Sequence, residues 1–244
     1  METAISVDGL NKSFGNLRAV ENVSFSVAGG EVFGLLGANG AGKTTTIECI
    51  LGTKQADSGK VSILGMHPLK DRKKVFQDVG VQFQESAYQD KITVRELCEV
   101  TQSLYVRSAD YRELLGQFGL SDKEKSAVSE LSGGQRQRLF ITLALIPNPR
   151  AVFLDELTTG LDARARREVW KCLSDMKRRG LAILLTSHFM DEVEALCDHI
   201  LILKSGRAMF SGTVQEAVAA SPHDRFEDAY LWFTGEEYMI HEDI

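Results

Sequence analysis

The stretch Gly37-Ala38-Asn39-Gly40-Ala41-Gly42-Lys43-Thr44 has the residue types and spacing of a phosphate-binding loop. It fits the pattern G-x-x-x-x-G-K-[ST], with an apolar run before it and a helical stretch after it. The glycines let several backbone N–H groups face one anion, and the helix N-terminus adds partial positive charge. Lys43 can then reach the β- and γ-phosphates of ATP, and the Thr44 hydroxyl can ligate Mg²⁺. A glycine-rich turn without a ligand is the alternative. The expected ATP-binding residues are Gly37, Asn39, Gly40, Ala41, Gly42, Lys43, Thr44 and Thr45.

A second stretch places two carboxylates at the end of an apolar run. Residues 151–154 are predicted to form a buried strand, which ends at Asp155 and Glu156. Parallel strands direct their C-terminal ends toward the ligand crevice, so Asp155 is expected near the Mg²⁺ ion. Glu156 would then polarise the attacking water as a general base. An ordinary strand end explains this pattern by itself, but not its pairing with a phosphate loop.

The stretch Leu131-Ser132-Gly133-Gly134-Gln135-Arg136-Gln137-Arg138 indicates a second anion site. Ser132 is predicted to cap a helix that runs through residues 139–145, and the two glycines permit close approach of a phosphate. This stretch resembles the LSGGQ signature of the ABC transporter ATPases, which lies shortly before the acidic strand in that family, as it does here. The resemblance implies that the signature of one subunit closes over the nucleotide of another in a head-to-tail dimer. The signature residues expected to act in trans are Ser132, Gly133, Gly134 and Gln135.

Three further stretches resemble the same family. Residues 80–84 look like the strand that leads to the Q-loop, which implies that Gln84 contacts Mg²⁺ or the attacking water, with Gln82 as a nearby rival. Residues 159–162 look like the D-loop, which implies that Asp162 lies at the dimer interface. Residues 185–188 look like the switch strand, whose histidine, His188, would contact the γ-phosphate. The resemblance thus implies Glu156, His188, Lys43 and Gln84 as catalytic residues and Thr44, Gln84 and Asp155 as metal ligands.

Two positions are less defined by the resemblance. Phe14 matches the aromatic position that stacks on adenine, but it could equally be a core residue of the β-subdomain. Leu157 follows the proposed base where the family usually has proline, and this substitution restores an N–H group and frees φ in that turn. We expect the site to work with Leu157, because Glu156 itself is present.

The elements that must position these residues can be predicted from periodicity. Val23, Phe25 and Val27 alternate with polar residues, which indicates a half-buried strand. Thr93 with Glu96 is typical of a helix start, and residues 86–149 have a mostly helical pattern. From residue 151 onward strands and helices alternate, which predicts a parallel sheet.

The expected fold class is α/β: a P-loop NTPase, RecA-like core with a mostly parallel sheet, an N-terminal antiparallel β-subdomain and an inserted helical subdomain. Residues 1–244 are read as a single ABC ATPase domain. Its catalytic core with the β-subdomain is predicted to comprise residues 1–85 and 150–235, its helical signature-bearing subdomain residues 86–149, and its tail residues 236–244.

Composition narrows the functional class. The chain has 244 residues with 43% hydrophobic residues and a net charge of −6, so a packed core is expected and a dedicated nucleic-acid binder is disfavoured. The four cysteines have no metal-binding spacing, and free thiols are expected. No apolar run is long enough to cross a bilayer, so a cytoplasmic chain is expected, with any membrane spans supplied by another polypeptide.

These observations predict the ATP-hydrolysing subunit of an ABC transporter, peripheral on the inner face of the cell membrane. Residues 189–198 and 226–235 resemble the ATPases of ABC-2-type exporters, which implies a separate ABC-2-type permease and a role in export. ATP and Mg²⁺ are the expected cofactors, a homodimer is the simpler assembly, and no nucleic acid is expected.

The alternative is a soluble ABC ATPase acting on ribosomes or DNA. A regulatory module with little hydrolysis conflicts with Glu156 and His188, and a P-loop kinase does not explain residues 132–135.

Overall fold

The computed structural model describes residues 2–82, 88 and 91–235. Its strands are β1 (Thr3–Phe14), β2 (Leu17–Ala28), β3 (Val32–Gly37), β4 (Ser58–Ile63), β5 (Val79–Gln82), β6 (Ala151–Leu154), β7 (Ala182–Leu185), β8 (His199–Lys204) and β9 (Arg207–Gly212). Its helices are α1 (Lys43–Ile50), α2 (Arg72–Val75), α3 (Val94–Ser103), α4 (Tyr111–Gln117), α5 (Gly133–Leu145), α6 (Ala163–Arg178), α7 (Met190–Leu196), α8 (Val214–Ala219) and α9 (Phe226–Thr234).

A six-stranded sheet lies at the centre of the described residues, in the order β5-β6-β7-β3-β8-β9. The first five strands of that order are mutually parallel, and β9 is antiparallel to β8. Every residue of β3, β6 and β7 is buried, as their continuous apolar sequences predict. Because these strands are parallel, their C-terminal ends meet at one edge, where the loop after β3 and the carboxylates after β6 must lie.

A smaller antiparallel sheet, in the order β2-β1-β4, covers part of this core. Val23 and Val27 of β2 are completely buried, and Phe25 stacks on Phe33 of β3 with ring centroids 4.8 Å apart. The alternation in β2 therefore packs its apolar face against the central sheet, as predicted. The mostly parallel central sheet and the N-terminal antiparallel sheet confirm the predicted fold class.

Helices α3, α4 and α5, here called the helical lobe, occur between β5 and β6. The predicted start of α3 is confirmed, because Thr93 and Glu96 form a reciprocal capping box. Val94 and Cys98 are buried, whereas Leu104 lies just after the helix and is 67% exposed. The buried face of α3 therefore does not extend to Leu104.

The helical lobe contacts the central sheet closely at Gly80 of β5. A β-carbon at this position would lie 1.9 Å from the carbonyl oxygen of Ala144, so a side chain cannot fit between β5 and α5. This contact sets the position of α5, whose N-terminus carries the signature stretch.

The chain after β6 returns to the central sheet. Val169 and Leu173 of α6 are buried, and α7 leads into β8. The antiparallel strand β9 extends the sheet. Helices α8 and α9, which follow it, pack on the sheet through a small apolar cluster around Phe226. Within the part of the chain that the structure describes, no helix has both the length and the apolar character needed for a membrane span.

Candidate nucleotide-binding and hydrolysis site

The loop between β3 and α1 is the centre of the site. Gly37 ends β3, and α1 begins at Lys43 with Gly42 as its N-cap in a left-handed conformation. The Lys43 ammonium donates hydrogen bonds to the carbonyl oxygens of Gly37 at 2.8 Å and Ala38 at 3.1 Å. Lys43 is only 7% exposed, so its cation is held inside the curled loop.

Two glycines of this loop are required by its geometry. Gly42 has φ +105°, and a β-carbon there would lie 2.3 Å from the carbonyl oxygen of Ala19. Gly37 has φ +150°, and a β-carbon there would lie 2.5 Å from the carbonyl oxygen of Leu203. Gly40 also has a positive φ, of +79°, but faces open space. The positive φ angles of these glycines give the loop a curled backbone, in which successive N–H groups can face one anion. Asn39, Ala41, Thr44 and Thr45 lie within the same loop and the first turn of α1.

Asp155 lies buried directly after β6. Its Oδ1 accepts a 2.6 Å hydrogen bond from the hydroxyl of Thr186, the residue that follows β7. Burial raises the pKa of Asp155, and the Thr186 hydrogen bond partly offsets this effect. The charge of Glu156 raises the same pKa further, whereas those of Lys43 and His188 lower it. The ends of three strands therefore bring these charged groups within electrostatic reach of one another.

Glu156 and His188 are in direct contact. The His188 Nε2 atom lies 3.2 Å from Glu156 Oε1, and the Thr159 hydroxyl lies 3.4 Å from Glu156 Oε2. The Glu156 side chain is 17% exposed and that of His188 is 36% exposed, so both remain accessible to solvent. A carboxylate in this position can accept a proton from a water molecule, with the imidazole beside it.

The signature stretch begins α5 as predicted. The Ser132 hydroxyl accepts a hydrogen bond from the Gln135 backbone N–H at 3.2 Å, and the Gln135 side chain accepts one from the Ser132 N–H at 3.0 Å. Ser132 and Gly133 are exposed, whereas Gly134 packs against the backbone of Gly160. Asp162 is exposed and caps α6 through a 2.8 Å hydrogen bond from the Ala165 N–H. The signature and the D-loop stretch therefore lie side by side in one chain.

Phe14, Gln82 and Gln84 are the remaining site candidates from the sequence. Phe14 is 45% exposed at the end of β1, so it is not a core residue, and the Lys12 and Lys54 ammonium groups lie 5.3 and 5.6 Å from its ring. Gln84 lies outside the described residues. Its rival Gln82 is 3% exposed in β5, and its carbonyl oxygen accepts a hydrogen bond from the Asp155 N–H.

Two polar residues around Glu156 were not assigned a role from the sequence. Thr186 bonds to Asp155 and to the backbone of Glu156, and Gln137 bonds to the backbone of Glu156 and Leu157. Both residues belong to stretches that resemble family motifs. The sequence gives no sign of their contacts, however, because their partners are 19 to 31 residues away.

The oxygen ligands present suit Mg²⁺ better than a transition metal. No group of three or more His, Cys, Asp or Glu side chains that could hold a metal occurs among residues 2–82, 88 and 91–235. Mg²⁺ usually keeps several waters and takes only one or two protein oxygens beside the phosphates. The buried Asp155 carboxylate and the exposed Thr44 hydroxyl fit such a set.

A curled loop at a helix N-terminus, opposite an acidic strand end on a parallel sheet, defines a P-loop nucleoside triphosphatase. The family model for ABC transporters matches residues 20–159. Daunorubicin resistance ATP-binding protein DrrA3 of Streptomyces coeruleorubidus is 36% identical over 231 residues, which are 93% of this chain and 73% of that protein. Nod factor export ATP-binding protein I of Bradyrhizobium sp. (strain SNU001) is 42% identical over 214 residues, which are 86% of this chain and 70% of that protein.

Solved structures agree with this family. The ATP-binding subunit of an ABC transporter superposes with a TM-score of 0.87 at 27% identity, covering 95% of this chain and 100% of that one. A dimeric bacterial ABC transporter cassette shares the fold, with a TM-score of 0.77 at 23% identity over 86% of this chain and 98% of that one. This chain therefore belongs to the ABC transporter family, as an ATP-binding subunit that hydrolyses ATP.

Proposed function

We propose that this chain powers the export of a substrate through a separate ABC-2-type membrane permease, as a homodimer that closes head-to-tail on ATP. The observation that carries the proposal is that one chain contains both halves of a nucleotide site. The phosphate loop meets Asp155 and Glu156 at one edge of the sheet, and the N-terminus of α5 exposes Ser132 and Gly133. A β-carbon on Gly133 would meet nothing within 4 Å, so the phosphate of another subunit's nucleotide has room to approach.

Each residue at the site has a role in this proposal. Residues 37–45 bind the phosphates, and Phe14 offers an exposed ring for adenine stacking. Thr44, Asp155 and Gln84 would hold Mg²⁺, which neutralises phosphate charge when bound. Glu156 accepts the proton of the attacking water, and His188 contacts the γ-phosphate. Ser132, Gly133, Gly134 and Gln135 close over the nucleotide of the partner, and Asp162 lies at the same interface.

The proposed division of the chain follows from these roles. Residues 1–85 and 150–235 form the catalytic core with the β-subdomain, residues 86–149 form the helical subdomain, and residues 236–244 form a tail. ATP binding joins two catalytic cores through the signature stretches. The helical subdomains move with that closure and transmit it to the permease.

An exposed apolar patch on the helical lobe supports a protein partner. Val100, Leu104 and Val106 are 55%, 67% and 89% exposed. The side-chain amide of Gln77 fixes this patch, because it donates to the Leu104 carbonyl oxygen at 3.3 Å and accepts from the Val106 N–H at 2.8 Å. Apolar side chains held at a surface in this way favour contact with another protein. We propose that the permease contacts this exposed apolar patch.

Export and the position at the membrane are inferred from relatives. Relatives named for drug resistance and for Nod factor export cover most of this chain. With the membrane spans supplied by the permease, the chain would lie in the cytoplasm on the inner face of the cell membrane.

The net charge of −6 disfavours the alternative function, that of a soluble ABC ATPase acting on ribosomes or DNA. A pull-down in mild detergent separates these two functions, because recovery of a membrane permease supports the first and recovery of ribosomes or DNA supports the second.

Phosphate release by the purified chain with Mg-ATP tests the site. Glu156→Gln should keep ATP binding and lower turnover by about 100-fold or more, the range expected for loss of a general base. Lys43→Ala should weaken ATP binding. Glu113→Gln is the matched control, because Glu113 is exposed on α4. Full turnover of Glu156→Gln would exclude it as the base, and unchanged ATP binding of Lys43→Ala would contradict the assignment of the loop.

A further inference from the structure

The turn that carries Glu156 has an unfavourable backbone conformation. Glu156 has φ +52°, in the left-handed region that non-glycine residues rarely adopt. Such a conformation is energetically unfavourable and persists only where the surrounding structure fixes it. The direction of the Glu156 carboxylate therefore depends on the groups that hold the backbone of residues 155–157.

Thr186 holds this turn from the side of the sheet. Its hydroxyl accepts a 2.9 Å hydrogen bond from the Glu156 N–H and donates a 2.6 Å hydrogen bond to Asp155 Oδ1. Its carbonyl oxygen accepts a hydrogen bond from the Leu157 N–H at 3.4 Å. Thr186 is completely buried, and its own N–H bonds to the Leu154 carbonyl oxygen at 2.9 Å. One residue thus contacts three consecutive residues of the turn.

Gln137 holds the same turn from the side of the helical lobe. Its Nε2 donates to the carbonyl oxygens of Glu156 at 3.1 Å and Leu157 at 2.8 Å. A side-chain amide has two N–H donors, so one group can satisfy both carbonyls. Gln137 lies on α5, close after Ser132. The helix that presents the signature in the proposed dimer therefore also contacts this chain's own catalytic turn.

We propose that Thr186 and Gln137 are positioning residues that together orient Glu156 for proton transfer, which rests on the proposed function of Glu156 as the base. Thr186 binds the N–H groups of Glu156 and Leu157, and Gln137 binds the carbonyl groups of the same two residues. Neither side chain needs to touch the nucleotide. Their effect on hydrolysis is exerted through the direction in which the turn points the Glu156 carboxylate.

Gln137→Met tests the side of the helical lobe, because methionine keeps the length of the side chain and removes both donors. Turnover should fall about 10- to 100-fold, the range for residues that orient a reacting group, with KM for ATP changed by less than about twofold. The Gln137→Glu variant should lose at least as much turnover, because its carboxylate would face the carbonyl oxygens of Glu156 and Leu157. Gln117→Met, at an exposed glutamine of α4, is the control and should keep full turnover.

Thr186→Val and Thr186→Ser test the side of the sheet. Valine keeps the shape of threonine and removes the hydroxyl, so turnover should fall about 10- to 100-fold. Serine keeps the hydroxyl and should retain turnover within about twofold. Full turnover of Thr186→Val, or a loss in Thr186→Ser as large as that in Thr186→Val although serine keeps the hydroxyl, would overturn the role of the Thr186 hydroxyl.

A double-mutant cycle decides whether Gln137 acts through Glu156. Gln137→Met is combined with Glu156→Gln, and residual turnover is measured beside ATP binding and thermal unfolding of each variant. The combination should stay within about twofold of Glu156→Gln alone. A further 10-fold fall would show that Gln137 acts elsewhere and would overturn the proposal. Full turnover of Glu156→Gln alone would refute the base, whereas an inactive Glu156→Gln with a fully active Gln137→Met would refute only the positioning role.

Discussion

Leu157 occupies the position where the family usually has proline, and its surroundings explain why the turn is intact without it. The side chain is completely buried in the core, among residues of the helical lobe and the central sheet. Its N–H donates to the Thr186 carbonyl oxygen, a bond that proline cannot make. Proline also favours an extended conformation in the residue before it, whereas Glu156 has φ +52°. The turn of this chain is therefore organised around an N–H group and a buried leucine.

Leu157→Pro should destabilise the protein without improving hydrolysis. Loss of the buried side chain and of the N–H should lower the free energy of unfolding by about 2–5 kcal/mol, which urea denaturation measures. Leu157→Ala is the control for the side chain alone. A Leu157→Pro variant with tenfold or higher turnover would show instead that the native turn is poorly organised.

Glu192 is a buried carboxyl group beside the switch stretch. It is completely buried in α7, and its Oε1 accepts a 2.9 Å hydrogen bond from Trp170 Nε1 of α6. Burial raises the pKa of Glu192, and the hydroxyls of Ser187 and Thr158 only partly offset this. The folded state therefore holds the Glu192 proton more tightly than the unfolded state. The resulting contribution to stability is present below the unfolded pKa and is lost as pH rises through the folded-state pKa.

Glu192→Gln should remove this pH-dependent loss, because glutamine can still accept the Trp170 hydrogen bond and carries no charge. Relative to the parent protein, its free energy of unfolding should increase as pH rises above the ordinary glutamate value and level off above the folded-state pKa. Urea denaturation between pH 5 and pH 8.5, with Glu113→Gln as the exposed control, measures this difference. A difference that is constant or falls with pH would contradict a buried carboxyl with a raised pKa.

At the scale of elements, the contact between β5 and α5 links the sheet to the signature helix. Gly80→Ala should separate these two elements, because its β-carbon would lie 1.9 Å from the Ala144 carbonyl oxygen. We expect a loss of about 1–3 kcal/mol or more in the free energy of unfolding, as for other overpacked sites. The measurement is the midpoint of urea denaturation.

Gly116→Ala is the matched control for this prediction. Gly116 lies in α4, and its β-carbon would meet only the Ser121 hydroxyl, at 3.5 Å. Alanine in a helix should stabilise the protein by about 0.5–1 kcal/mol. If Gly80→Ala were as stable as Gly116→Ala, the close approach of β5 and α5 would be wrong.

The elements around the site could be predicted because their patterns are local. The buried strands Ala151–Leu154 and Ala182–Leu185 are continuous apolar runs, and the capping pairs of Thr93 and Ser132 mark helix starts. The antiparallel strand β9 was not predicted, because its residues are mostly exposed and lack an alternating apolar face. The positive φ of Glu156 and the contacts of Gln137 and Thr186 depend on distant parts of the chain, so no local pattern reports them.

At the scale of the whole molecule, topology assembles the site from distant stretches. The phosphate loop follows β3, the carboxylates follow β6, and His188 follows β7. These strands are parallel neighbours in the central sheet, so the sequence order of the motifs and the expected fold together predict that they meet at one edge. The signature stretch remains exposed at the N-terminus of α5, as a dimer with the signature in trans requires.

The ATP-dependent dimer is tested most directly by the mass of Glu156→Gln, measured by light scattering with and without Mg-ATP. Loss of the base should trap the ATP-bound state, so the mass should change from one chain to two when Mg-ATP is added. Adding Ser132→Arg, which places a bulky cation at the signature, should abolish the change while ATP still binds. A mass that remains that of one chain, with ATP bound to Glu156→Gln, would contradict the homodimer.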